Sequence, residues 1–117
     1  MNSNRVYSDY LEDILDAIMK AADFIKDMTF DDFAKDEKTM FAVIRALEII
    51  GEAAKHIPEE IITNYPKLPW REMAGIRNKL IHEYFGVNNK VVWKTVTEDL
   101  PNLEQEVRHI IAQFRKE

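Results

Sequence analysis

The 117-residue sequence predicts an all-α fold, an up-and-down bundle of four to five main helices. Three observations lead there. Apolar residues recur at three- and four-residue steps over long stretches, the spacing that lines one face of a helix. Residues suited to helix starts, among them Thr29, Asp36, Pro58, Pro69 and Pro101, stand just ahead of such stretches. Nowhere do apolar and polar residues alternate over five positions between turn residues, so no strand is expected.

The first helix runs from about Arg5 to Met28, where Leu11, Ile14, Leu15, Ile18, Ala21, Ile25 and Met28 keep the helical period and Glu12, Asp13, Asp16 and Lys20 fall between them. Thr29, with Asp31 and Asp32 behind it, suits an N-cap and an acidic first turn, so Phe30 to Lys35 forms one short connecting turn. Asp36 caps a second helix that carries Met40, Val43, Ile44, Leu47, Ile50 and Ala54 and stops at Pro58. Gly51 in its interior costs about 1 kcal/mol against alanine, a loss best explained by another backbone packing closely. Pro58, Glu59 and Glu60 open a short helix to about Tyr65.

Pro66 and Pro69 bracket a turn, and Pro69 opens the third main helix, which ends at Gly86. Asn88 or Asn89 caps the fourth, with Val91, Val92 and Val96 on one side. The fifth begins near Pro101 and carries Leu103, Val107, Ile110, Ile111 and Phe114. No repeat, low-complexity tract or linker interrupts the chain, which reads as one domain over residues 1–117.

Composition narrows the class. Apolar residues make up 46% of the chain, too many for a disordered segment. The absence of cysteine removes disulfides and thiolate metal sites, and makes the reducing cytoplasm the expected compartment. No apolar run approaches the ~20 residues of a membrane span, and Met1-Asn2-Ser3-Asn4 is unlike a signal peptide. Net charge is −5, which argues against binding nucleic acid through bulk electrostatics. The distribution matters more: residues 8–37 carry ten acids and three bases, whereas residues 70–94 carry five bases (Arg71, Arg77, Lys79, Lys90, Lys94) against Glu72 and Glu83. The local positive field suits an anionic substrate, and the acidic N-terminal part suits a basic partner.

That field coincides with Arg77-Asn78-Lys79-Leu80-Ile81-His82-Glu83-Tyr84-Phe85-Gly86, where a guanidinium, an imidazole and a phenol crowd together. At about 100° per residue, Arg77 shares a helix side with Met73, Leu80, Ile81 and Tyr84. A charge on an apolar face needs a carboxylate partner or a crevice that anions enter, and both readings of Arg77 stand. His82 lies roughly 140° around from Arg77 on an unbroken helix. Either the helix ends near Gly86 or two chains meet, and a two-fold homodimer with facing motifs relieves the mismatch. His82 titrates near neutrality and suits general acid/base work, although a solvent-facing or helix-terminal histidine is the commoner reading. Asn78 either orients an anion or faces water, and Tyr84 is either a packing tyrosine or a substrate contact.

Other chemistries find little support. His56, His82 and His109 are isolated, without a His-x-x-x-His pair, so no metal or cofactor is expected. Gly51, Gly75 and Gly86 form no phosphate-cradling loop. Ser3 and Ser8 are the only serines, which nearly excludes a serine nucleophile.

The pattern Arg-x-x-x-x-His-x-Tyr, present as Arg77, His82 and Tyr84, resembles the signature of HEPN-domain proteins, specifically the HepT-like ribonuclease toxins. The flanks Trp70 to Asn78 and Val92 to Pro101 are similar to the C-terminal half of that family, and the N-terminal helices fit by pattern alone. The resemblance implies a HEPN-like dimeric bundle and a metal-independent endoribonuclease acting on RNA. It implies catalytic Arg77 and His82, and RNA contacts from Asn78, Lys79 and Tyr84. It also implies a toxin–antitoxin partner, an MNT-type nucleotidyltransferase that silences the toxin by adding AMP to Tyr84. The competing expectation is a catalytically inactive helical dimer that binds a nucleotidyltransferase or a nucleotide.

Overall fold

The structure, a computed structural model, describes residues 3–76 and 89–116. Its longest element is α1 (Ser3–Phe24), which turns Leu11, Ile14, Ala17, Ile18 and Ala21 inward, none more than 2% exposed. The periodic stripe continues to Met28, but the helix stops earlier. Asp27 takes the left-handed backbone conformation at φ 64, and the Met28 N–H donates to the Ile25 carbonyl at 3.0 Å, closing a turn. Aspartate tolerates that region better than most residues. Ile25 and Met28 stay half-buried without being helical, so the stripe outlasts the helix.

Helix α2 (Phe30–Lys35) begins as its sequence demands. Thr29 Oγ1 accepts from the Asp32 N–H at 3.1 Å, and Asp32 Oδ2 accepts from the Thr29 N–H at 3.0 Å, which completes a capping box. One residue past its end, Asp36 starts α3 (Glu37–Ala54), its Oδ1 accepting from the Thr39 N–H at 3.0 Å. That hydrogen bond to the charged form holds the Asp36 carboxyl below its usual value. Pro58 and Pro69 act as N-caps rather than first helical residues for α4 (Glu59–Asn64) and α5 (Trp70–Ala74).

After the undescribed stretch come α6 (Asn89–Lys94), a π-helical turn (Thr95–Asp99) and α7 (Leu100–Lys116). The sequence suggests two helices separated before Pro101. The structure instead carries helical backbone through, with Lys94 and Leu100 both right-handed and the Leu100 N–H donating to the Thr95 carbonyl. Pro101 has no N–H, and its ring crowds the carbonyl four residues back. A single widened turn relieves this without ending the helix. Thr95 and Thr97 hydroxyls donate to the Val91 and Trp93 carbonyls, each at 2.8 Å, and satisfy acceptors around the distortion. Asn88 lies outside the described residues, and Asn89 is already helical, so no described asparagine caps α6.

Cross-helix contacts set the directions. Arg115 donates to Glu12 Oε1 at 3.1 Å, while Arg108 reaches Met19 Sδ at 3.4 Å, so α7 runs antiparallel to α1. The Tyr10 ring, near the start of α1, stacks on His56, just past α3, with centroids 4.7 Å apart, so α3 is antiparallel to α1 as well. Ala17 and Ala21 on α1 and Ala46, Gly51, Ala53 and Ala54 on α3 are all buried. Val43, Leu47, Ile50, Val107, Ile110 and Ile111 complete the core. Among the described residues no strand occurs and no polar or charged residue is buried as a whole, which fits the all-α bundle that the periodicity predicts. No described helix is long and apolar enough to cross a membrane.

Candidate functional site

Arg77, Asn78, Lys79, His82 and Tyr84 all lie outside the described residues, as does the proposed helix stop at Gly86. What the structure does define is the two ends that hold the stretch. On the upstream side, α5 is pinned by Trp70, 5% exposed, and Met73, 4% exposed, both in the core. The Trp70 Nε1–H donates to the Tyr65 carbonyl at 2.9 Å, which ties the helix to the preceding turn. Gly75 follows as the C-cap, its N–H donating to the Arg71 carbonyl at 2.9 Å. A Cβ there would sit 3.3 Å from that same carbonyl oxygen, a tight fit that favours glycine. Ile76, half-buried against the core, is the last described residue before Arg77.

On the downstream side, α6 is anchored by buried Val92 and by Trp93, whose ring meets Phe33 at 5.4 Å and Phe30 edge-on at 6.1 Å. Aromatic pairs at such separations add to their burial. The chain therefore enters and leaves the stretch from two fixed points, one on α5 and one on α6. Arg71, Lys90 and Lys94 on these anchors are all exposed, which keeps three of the five cations of the basic region in solvent. Asn89 Oδ1 is buried and accepts no hydrogen bond from a described residue.

The two described histidines have settled surroundings. His56 stacks on Tyr10, its Nε2 3.8 Å from Glu52 Oε1, and its side chain is half exposed. His109 is exposed on α7. Among the described residues no group of histidines and acids is placed to hold a metal ion.

The hollows among the described residues include two assembled from distant parts of the chain. One, about 460 Å³, is lined by Tyr10, Asp13, Arg45, Glu48, Glu52 and His56. The other, about 570 Å³, reaches from α3 to α7 and touches both anchors through Ile76 and Val91. Neither was visible in the sequence, because each is assembled from residues tens of positions apart.

Residues 14–110 match the family described as "Ribonuclease HepT-like", so the chain belongs to the HepT-like ribonuclease family. Among its relatives is a protein of Thermococcus cleftensis named "Probable ribonuclease HepT", 57% identical over 100 residues that cover 86% of this chain and 91% of the relative. A second, of Methanocaldococcus jannaschii, is named "Putative RNase" and is 49% identical over 92% of this chain and 89% of its own length. A third, of Caldanaerobacter subterraneus subsp. tengcongensis, carries the same description at 46% identity over 89% of this chain and 93% of its own. No solved structure matches the chain significantly.

Proposed function

We propose that this chain is a metal-independent endoribonuclease and the toxin of a cytoplasmic toxin–antitoxin pair. The observation that carries the reading is the family match over residues 14–110, a span in which Arg77, His82 and Tyr84 are all present. The names of the relatives, one "Probable ribonuclease HepT" and two "Putative RNase", support the ribonuclease part of the reading.

The chemistry follows from the residue types. An imidazole of His82 takes the proton of an RNA 2′-hydroxyl as that oxygen bonds to phosphorus. The P–O5′ bond breaks, and a protonated imidazole returns a proton to the departing 5′-oxygen. The products are a 2′,3′-cyclic phosphate and a 5′-hydroxyl. Arg77 holds the phosphate through its planar fork of donors and offsets charge that builds on the equatorial oxygens. Lys79 and Asn78 supply further phosphate contacts. In a homodimer with facing motifs, one histidine serves as base and the other as acid, and Arg77 is brought to the same phosphate despite its helical phase from His82.

Control is assigned to Tyr84. An MNT-type nucleotidyltransferase directs the phenol oxygen onto the α-phosphorus of ATP; the Tyr–O–P bond forms, pyrophosphate leaves and the phenol proton is lost. The added phosphate competes for Arg77 with the phosphate of RNA. The test is RNA cleavage in chelator by wild type and His82→Ala. The reading expects activity in the first and its loss in the second, and equal rates would overturn it.

A further inference from the structure

The groove between α3, α5 and α7 has an apolar floor that includes Ile50, Met73, Leu100 and Leu103, all buried. Its rim carries Glu72, Asp99 and Glu106 against the single cation Lys67. None of the three carboxylates makes a hydrogen bond or an ion pair with a described residue. Asp99 and Glu72 are exposed, while Glu106 is half-buried beside the apolar floor, where a hydrogen bond gains more than it does in water. A rim of carboxylates disfavours phosphate, and an apolar floor beside them suits a ring with hydrogen-bond donors on its edge.

Its position is informative. Ile76 lines the groove and directly precedes Arg77 in the chain. If Arg77 holds the scissile phosphate, the groove lies within reach of a neighbouring nucleotide. The volume of about 570 Å³ is that of a single small-molecule site, for which roughly 300–1,000 Å³ is usual. A protein partner needs about 800 Å² of its own surface covered, more wall than a groove of this volume has.

We propose that this groove is a base subsite, which takes one unpaired nucleobase of the RNA and prefers guanine. The inference rests on the ribonuclease reading. Guanine presents N1–H and N2–H side by side, two parallel donors for the two oxygens of Glu106, whereas uracil presents a single N–H on that edge. Adenine and cytosine offer one exocyclic amino group, and fall between. Met73 and Leu103 take the face of the ring.

The test uses the intact wild-type chain with mononucleotides, which hold no bond for it to cleave. Methyl resonances of Met73, Leu103 and Ile50 are followed by NMR as GMP, AMP, CMP or UMP is added. The expected result is saturable movement with GMP, weakest with UMP, and about tenfold weaker GMP binding in Glu106→Gln, the effect of removing one charge-assisted hydrogen-bond partner. Glu106→Gln should also cleave guanine-containing oligonucleotides with less preference over guanine-free ones. Methyl shifts that ignore nucleotide, or that are equal for all four and unaltered in Glu106→Gln, overturn the proposal. So do groove shifts that follow protein concentration alone, which mark a second copy, or that appear only with an added basic peptide. RNA cleavage without nucleotide binding in the groove sinks the subsite and spares the ribonuclease reading. GMP binding in the groove without any RNA cleavage does the reverse.

Discussion

The Trp70 indole donates to the Tyr65 carbonyl at 2.9 Å, and that bond fastens the short helix α5 at the point where the chain enters the candidate catalytic stretch. Trp70 is also 5% exposed, so its ring packs as well as anchors. Trp70→Phe is expected to lower unfolding free energy by about 1–2 kcal/mol, the net value of one hydrogen bond plus some lost packing. Urea denaturation with an unchanged slope checks it. RNA cleavage should fall further than stability alone explains, because the entry point of the stretch loosens.

Arg77→Ala is expected to cost ~10² or more in RNA cleavage, the range for removing a donor to a charge that builds in the transition state. Arg77→Lys should recover part of this, since an ammonium keeps the charge and loses the planar fork. Product analysis by mass spectrometry should find 2′,3′-cyclic phosphate or the 3′-phosphate derived from it. Activity lost to EDTA and restored by a divalent ion would overturn the acid/base mechanism.

In solution the chain should be a dimer at micromolar concentration. The helical phase between Arg77 and His82 motivates this, because two facing motifs bring both groups to one phosphate. Light scattering or sedimentation equilibrium gives the mass directly, and a monomer with full cleavage activity would remove the composite site.

Tyr84→Phe keeps the ring and removes the acceptor oxygen. With the partner nucleotidyltransferase and ATP, wild type should gain mass in steps of roughly 330 Da, the covalent addition of a nucleoside monophosphate. The variant should gain none and stay active beside its partner. Persistent addition to Tyr84→Phe would place the modification elsewhere.

Asp36 gives a pH dependence of known sign. The Thr39 backbone N–H holds its folded carboxyl below the usual value, so the capping contribution is fully present above the unfolded pKa of about 3.9. It is lost as pH falls through the lower, folded value. Asp36→Asn still caps α3 but should flatten stability between those limits, and Asp36→Ala should be less stable than wild type at pH 7. Thermal melts from pH 7 down to pH 3 separate the three.

Local signals in the sequence proved dependable where the physics is local. The caps at Thr29 and Asp36 depend on a side chain three residues from the backbone it serves, and both form as their residues demand. The stripes of α1, α3 and α7 are one-helix properties, and their apolar residues form the core. Boundaries were harder to read. Met28 continues the apolar period although the helix has ended, because burial of a side chain and helicity of its backbone are separate matters. Pro101 marks a helix start in sequence, yet a π-helical turn lets it sit within continuous helical backbone.

What the sequence by itself determined is therefore the fold class, the helix caps at Thr29 and Asp36, and a motif that resembles the signature of the family to which the chain belongs. These rest on periodicity, short-range hydrogen bonding and fixed spacing, all of which are written along one stretch of chain. Only the tertiary structure decided that α3 and α7 both run antiparallel to α1, since that depends on Tyr10 meeting His56 and Glu12 meeting Arg115 across long separations. It also decided where the groove lies. Ile50, Met73, Leu103 and Glu106 carry no common signal in sequence, and they meet because close packing of three helices leaves a hollow where their faces diverge.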